Sequence, residues 1–476
     1  MGLEIGNAKT EFIWSLIERF SVQGIQFILS LVIARLVTPA DFGLIAMTAI
    51  FMAIAQVFID SGFGAALIQK KDRTNVDYST VFFFNTVIAI IIYCILYASA
   101  PLISDFYNLG ELTDVIRVLA LNLIISSFSI VQRSKLNIAL NFKLLAKVSL
   151  IAVIIGGVAG TLLAYYGYGV WALVAQTLTT NSITTILLWC TTKWHPSLVF
   201  STESFKQLFS FGSKLLIADI LHTFYINLYS LVIGKRYNAT DTGLYNRAST
   251  ISQYPVLNLV QVLIRVTYPI QCEHQNDIAW LENSFPKLLR MYVFIIFPIA
   301  LLICILAKPL VIVILSDNWI KCAPLISILC LGYMWIPISN LNGNIIKSIG
   351  RSDISLKAEI IKKVMALGIL AATLPFGLSI LCWGVVLYNL IDDFIIISFS
   401  RRLLNIGFRK QIAAIFPILI LGSAAALISY ALMTFTNNDW AQITIGLISF
   451  ATLYIAGAWL LRLNEIRLII SLLKKR

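Results

Sequence analysis

Residues 30–44 read Ser-Leu-Val-Ile-Ala-Arg-Leu-Val-Thr-Pro-Ala-Asp-Phe-Gly-Leu, and residues 230–244 read Ser-Leu-Val-Ile-Gly-Lys-Arg-Tyr-Asn-Ala-Thr-Asp-Thr-Gly-Leu. Seven of the fifteen positions are identical, and Asp-x-Gly-Leu falls at the same place after the apolar run. Each copy predicts the end of one apolar helix, a short polar turn and the start of the next. Two weaker matches extend the repeat: Ala100-Pro101-Leu102 answers Lys308-Pro309-Leu310, and Trp171-Ala-Leu-Val answers Trp383-Gly-Val-Val. A chain that repeats its helix–turn–helix at this distance has duplicated a bundle, an architecture common in transporters that alternate access to a central site.

Composition makes the bundle a membrane bundle. Hydrophobic residues make up 59% of the chain and charged residues 12%, and mean hydropathy is +0.87. Soluble domains carry roughly 25% charged residues. About fourteen apolar runs are long enough to cross a bilayer: 12–36, 44–67, 80–103, 114–136, 144–166, 169–191, 208–234, 244–268, 288–307, 323–346, 355–375, 377–400, 411–434 and 441–462. Helices are the expected form, since an unpaired backbone has no place in lipid and the runs are too long for barrel strands. The expected fold is an all-α integral membrane protein with two six-helix bundles related by a pseudo-twofold axis, plus two extra helices. The corresponding domains are 1–200, 201–410 and 411–476.

Met1–Thr10 carries no cleavable signal pattern and is expected to remain. Ser201–Phe211 and the tail Asn464–Arg476 read as amphipathic helices lying in the membrane interface. With the N-terminus placed inside, 27 Lys and Arg fall on inner segments and five on outer ones. That asymmetry predicts both termini inside, and it accounts for the net charge of +13 without nucleic acid. The seven cysteines form no CxxC pair and read as packed small hydrophobes. Asn238-Ala-Thr240 matches a glycosylation acceptor, too short a motif to carry weight.

Polar groups within the spans fall in stripes at helical spacing. Ser15, Arg19, Gln23, Gln26 and Ser30 share one face of the first span; Gln56 and Asp60 are one turn apart in the second. Asp219, Thr223, Asn227 and Ser230 stripe the seventh, with His222 beside Asp219, and Arg247, Thr250, Tyr254, Asn258, Gln261 and Arg265 the eighth. Ionised groups at such depth cost about 2.5–3.5 kcal/mol each to insert, so they face a wet cavity or a partner. The stripes therefore predict a hydrated, partly cationic lumen lined by Arg19, Gln23, Gln26, Gln56, Arg247, Asn258, Gln261 and Arg265. Snorkelling of the arginines and an Arg19–Glu18 pair are the ordinary structural alternatives. Asp392 and Asp393 in the twelfth span share a proton, bind a cation, or pair with Lys362 or Lys363. Pro255, Pro298 and Pro337 interrupt spans and mark hinges or plain kinks. No phosphate loop, metal-ligand cluster or nucleophile elbow is present, so neither a cofactor nor an enzymatic reaction is expected.

Ala34-Arg35-Leu36-Val37-Thr38-Pro39-Ala40-Asp41-Phe42-Gly43-Leu44, followed by Asp60-Ser61-Gly62-Phe63-Gly64-Ala65-Ala66-Leu67-Ile68-Gln69, closely resembles the opening of bacterial Wzx-type polysaccharide flippases. These exporters of lipopolysaccharide, O-antigen and teichuronic-acid biosynthesis belong to the multidrug/oligosaccharidyl-lipid/polysaccharide superfamily. The likeness covers essentially the whole chain, including Phe211-Gly212-Ser213-Lys214 at the start of the second half. It implies a flippase of the bacterial cytoplasmic membrane for polyprenyl-diphosphate-linked oligosaccharides, with spans 1, 2, 7 and 8 lining the cavity. It also implies a polysaccharide polymerase and glycosyltransferases as partners, and an ion gradient, H+ or Na+, as the drive. Asp60, Asp219, Asp392 and Asp393 are the coupling candidates. An ion-coupled exporter of organic cations is the alternative; its lumen would be acidic and aromatic, against the Arg stripes.

Overall fold

The first copy of the repeat caps a helix with its own side chains. Backbone N–H of Asp41 donates to Thr38 Oγ1 (3.3 Å), and Thr38 N–H donates back to the Asp41 carboxylate (3.1 Å). Two of the orphan amides at a helix N-terminus are thus satisfied reciprocally. In the second copy Asn238 takes the place of Thr38: its Oδ1 accepts from Asp241 N–H at 2.7 Å, and its Nδ2 donates to Asp241 Oδ2 at 3.0 Å. The Asn238 amide is a helix cap.

The computed structural model describes residues 21–60, 63–70, 72–139, 141–463 and 465–466. Ser15, Arg19 and the basic tail from residue 467 lie outside them. The first part of the chain forms α1 (Ser21–Leu36), α2 (Pro39–Asp60), α3 (Phe63–Gln69), α4 (Asn75–Tyr107), α5 (Leu112–Leu119), α6 (Leu121–Ser127) and α7 (Ile130–Ile138). Then come α8 (Phe142–Tyr165), α9 (Val170–Thr192), α10 (Thr202–Arg236), α11 (Ala239–Glu273) and α12 (Ile278–Leu310). The remainder forms α13 (Cys322–Tyr333), α14 (Ile336–Ser348), α15 (Ser352–Thr373), α16 (Leu378–Ser400), α17 (Phe408–Met433) and α18 (Asp439–Leu460). Among the described residues there is no strand, and each of the fourteen expected spans coincides with a helix or a broken helix. Eight segments are long and apolar enough to cross a membrane outright. The fourth span is broken, with a 42° bend between Leu112–Ser127 and Ile130–Ile138. The chain divides into two compact units, Met1–Gly243 and Leu244–Arg476.

Burial runs inside out, as lipid requires. On α4, Asn85 is fully buried while Ile95 is 58% and Leu102 70% exposed. Hydrocarbon accepts Ile95 and Leu102, whereas the Asn85 amide, with no hydrogen-bond partner among the described residues, is kept inside the protein.

Within the first unit, glycines set the closest approaches. A Cβ on Gly43 would lie 1.7 Å from the carbonyl oxygen of Ala239, and one on Gly243 1.8 Å from that of Pro39. The two repeated turns therefore meet backbone to backbone through their paired glycines. Gly156 and Gly160 bring α8 against α9 in the same way: a Cβ on Gly156 would meet Thr180 Oγ1 at 1.9 Å.

In the second unit, α17 and α18 pack on α12, where Tyr454 donates to the Phe294 carbonyl at 3.0 Å. Arg290 of α12 grips Glu465, just beyond α18, in a two-pronged pair (Nη2–Oε2 3.0 Å). Burial alone would raise the Glu465 carboxyl; the guanidinium against it outweighs that and holds it below its ordinary value.

Two expectations need correction. Ser201–Phe211 is not a separate interfacial helix; it runs on as the first turns of α10. Its apolar face is taken up by protein: Leu208 is buried with Phe63, Phe82 and Trp194, and Phe205 packs at 4.8 Å from the Phe84 ring. Ser204 Oγ donates to Asp77, which also pairs with Lys70 at 2.9 Å, pinning this stretch to the start of α4. Of the three prolines, only Pro337 falls beside a break, between α13 and α14. Pro255 and Pro298 sit inside continuous helices.

Gly43→Ala and Gly243→Ala should each lower the melting temperature of the purified protein, by an overpacking cost of about 1–3 kcal/mol. Gly343→Ala, with open space around it, should not. Equal melting of all three against wild type would contradict the crossing.

Candidate functional site

The second-span stripe opens onto a cavity of about 520 Å³ inside the first unit. Gln56 and Asp60 reach it from α2, one turn apart, with Gln56 Nε2 donating to Asp60 Oδ1 at 3.2 Å. The broken fourth span supplies the facing wall. Asn122 and Ser126 come from α6, and Ser126 Oγ donates to Gln56 Oε1 at 3.1 Å. Ser129 follows at the bend, then Arg133, Ser134 and Asn137 from α7. Asn181 closes the wall from α9. Among the described lining residues Ile130 is the one large apolar side chain, and none is aromatic.

Local structure explains the arrangement. Ser129 Oγ donates back to the Ser126 carbonyl at 2.8 Å, and Asn181 Nδ2 to the Thr177 carbonyl at 3.1 Å. Such back-bonds satisfy the donors within the helix and leave lone pairs for the cavity. Asn122 Oδ1 has no hydrogen-bond partner among the described residues. Arg133 and Asp60 are both exposed and lie within electrostatic reach of one another, as does Asp219 of α10.

The other predicted site residues are placed as follows. On α1, Gln23 is half-buried and Gln26 exposed. In the second unit, α11 carries all four predicted polar residues. Asn258 is half-buried; Gln261 and Arg265 are exposed. Arg247 is only 5% exposed, its guanidinium 5.7 Å from the centre of the Trp319 ring. Arg19 lies outside the described residues.

Asp392 is committed to a partner. Lys362 of α15 pairs with its Oδ1 at 2.9 Å, and Ser339 of α14 donates to the same carboxylate. Lys362 also reaches Glu359 at 3.0 Å. Asp393, 4% exposed, has neither carboxylate oxygen hydrogen-bonded among the described residues. The polar run after Pro337 is used in packing: Asn342 and Gln411 exchange two amide bonds of 3.0 Å, and Ser400 donates to Asn342 at 2.6 Å.

From sequence Arg133 reads only as an inner-face charge, whereas Lys362 also reads as a partner for Asp392 and Asp393, and it pairs with Asp392. The signal for Arg133 was present. Asn122, Ser126, Ser129, Arg133 and Asn137 step by four, three, four and four, the same helical spacing that exposed the other stripes.

Residues 32–324 match the family model described as "Polysaccharide biosynthesis protein". The chain belongs to this family. Among curated relatives, it is 24% identical over 406 residues to the teichuronic acid biosynthesis protein TuaB of Bacillus subtilis (strain 168), covering 85% of this chain and 83% of that one. Two solved structures share the fold. The lipid II flippase MurJ in an inward closed conformation superposes with a TM-score of 0.73 at 14% identity, over 94% of this chain and 99% of that one. An inward-facing multidrug resistance MATE family transporter of the MOP superfamily gives 0.62 at 15% identity, over 82% of this chain and 98% of that one. With eight helices among the described residues long and apolar enough to cross a bilayer, the chain is a multi-pass membrane protein. Fold alone does not separate flippase from drug exporter, since both neighbours have it.

Lys362→Met leaves Asp392 buried without its cation and should destabilise the protein by about 3–5 kcal/mol, whereas Lys362→Met with Asp392→Leu should recover most of the loss. Thermal melting of the four proteins in the cycle checks this; additive losses would contradict a direct pair.

Proposed function

We propose that the chain carries polyprenyl-diphosphate-linked oligosaccharide units from the inner to the outer leaflet of the bacterial cytoplasmic membrane, by alternating access, for export of a surface polysaccharide. Membership of the polysaccharide biosynthesis family over residues 32–324 is the observation that carries this reading. The role that the name of TuaB gives it, teichuronic acid biosynthesis, points the same way. So does the lipid-linked cargo in the name of the fold neighbour MurJ, a lipid II flippase.

The chemistry supports the choice over an exporter of organic cations. Among the described residues the first-unit cavity is lined mainly by amides and hydroxyls, with one guanidinium and one carboxylate and no aromatic face for a cation. The diphosphate needs cationic forks, and Arg19, Arg247 and Arg265 are its proposed partners, since guanidinium pairs bidentately with phosphate oxygens. Gln23 and Gln26 of the first unit, and Asn258 and Gln261 of the second, are the proposed neutral donors to the head group. The prenyl tail stays in the bilayer while the head group crosses.

Both termini are assigned to the inner face by the Lys and Arg asymmetry of 27 to five. For coupling to H+ or Na+, Asp60, Asp219 and Asp393 are the proposed carriers. Asp392 serves with them only through its Lys362 partner. Glycosyltransferases would supply the substrate on the inner face and a polymerase would take it on the outer.

A strain lacking the gene should accumulate polyprenyl-linked glycans and lose the surface polymer, as read by mass spectrometry of the lipid extract beside polysaccharide staining. An unchanged lipid pool together with new sensitivity to cationic drugs would favour the exporter.

A further inference from the structure

We propose that the first-unit cavity is a sugar subsite: it holds a ring of the transported head group by its hydroxyls, apart from the groups that bind the diphosphate. This rests on the flippase reading and adds to it which part of the substrate this cavity takes.

The argument is one of donor and acceptor balance. A sugar hydroxyl both donates and accepts, so a site for it needs both functions interleaved. The cavity has them. Ser126 and Ser129 accept on their lone pairs, their protons being given to Gln56 and to the Ser126 carbonyl; the Asn181 oxygen and the Asp60 carboxylate accept as well, the latter already taking one bond from Gln56. Asn137 and Arg133 donate from α7. Asn122 Oδ1, without a partner among the described residues, is a further acceptor in this wall. A buried amide oxygen left unmet costs free energy until something donates to it.

A diphosphate fits poorly here. It accepts only, and the Asp60 carboxylate would oppose it with just one guanidinium in compensation. An organic cation fits no better, with Arg133 in the wall and no aromatic ring among the described lining residues. At about 520 Å³ the space is that of a small-molecule site, within the roughly 300–1,000 Å³ such pockets span. Arg133, exposed at the rim, is placed to pair with an anionic oxygen of the head group, whether a sugar carboxylate or the nearer phosphate.

The back-bonded geometry also means that the site is built before the ligand arrives. Gln56 is held from both sides, by Ser126 and by Asp60, so little side-chain ordering remains to oppose binding.

Native mass spectrometry of the full-length protein in detergent tests the proposal. Two ligands are compared: the lipid-linked glycan pool extracted from the deletion strain, and undecaprenyl diphosphate with no sugar. Asn137→Ala and Asn181→Ala should each weaken the glycan-bearing lipid about fivefold and the pair tenfold or more. Affinity for undecaprenyl diphosphate should not change. Melting temperatures establish that the variants are folded, and Ser129→Ala stands in for any that is not. Equal loss for both ligands in folded variants would make the cavity a diphosphate site and overturn the proposal, as would no loss for either. Arg133→Gln separates the sources of the anion: a loss confined to the glycan-bearing lipid assigns it to the sugar, and a loss for both ligands assigns it to the phosphate, with the amide results unaffected. Failure of the wild-type chain to bind the glycan pool at all would sink the flippase reading itself.

Discussion

Where the first turns of α2 and α11 cross, no side chain separates the two backbones. Gly43 lies under the Ala239 carbonyl and Gly243 under the Pro39 carbonyl, and at either glycine a single added carbon would be in collision. This reciprocal contact fixes the rotation of α2 about its axis as well as its position. Thirteen and seventeen residues on from Gly43, at about 1.5 Å and 100° per residue, the same helix presents Gln56 and Asp60 to the cavity. A turn slipped by one residue would aim them elsewhere. The duplicated Asp-x-Gly-Leu therefore does two jobs: its aspartate caps a helix, and its glycine lets the two copies touch.

Around that contact the solvent preference of ordinary proteins is reversed. Apolar side chains of α4 such as Ile95 and Leu102 are left for lipid, while Asn85 and Ser79 are fully enclosed. In such surroundings a polar group inside is stabilised by another that answers it. The second unit does this with closed pairs: Lys362 with Asp392, Asn342 with Gln411, Arg290 with Glu465. The first unit does the opposite in one place, gathering amides and hydroxyls around open space. A set of polar groups that could have been paired or replaced by apolar packing, yet surrounds a cavity, is what a hydrophilic cargo requires.

Much of this was legible in the sequence, and the reasons for the rest are specific. The helical fold followed from run length, and the repeated turn from seven identities. Gln56 and Asp60 were found because they are polar in an otherwise apolar run. Arg133 was overlooked because a Lys/Arg near the end of a span is usually a topology charge, and the bend after Ser127 carried it back to the cavity wall. Lys362, counted among the inner charges, was also legible as a partner for Asp392 and Asp393, and its place on α15 pairs it with Asp392. The amphipathic pattern of Ser201–Phe211 was read correctly as amphipathic, but pattern alone does not say whether lipid or Phe63 and Phe84 will cover the apolar face. Register between distant helices is likewise a product of packing, which no local spacing reveals.

The fold is shared with transporters of quite different cargo, so the account stands on the chemistry of the sites and on family membership together. The most direct measurement is transbilayer movement in proteoliposomes made with the purified chain and the extracted lipid-linked glycan pool. A membrane-impermeant reagent that modifies sugars reads which head groups face outward. The account predicts that the whole pool becomes reactive when the protein is present, while in protein-free vesicles only the outer-leaflet share reacts. Identical reactivity in the two preparations, with folded protein confirmed in the membrane under the coupling gradients tried, would contradict it.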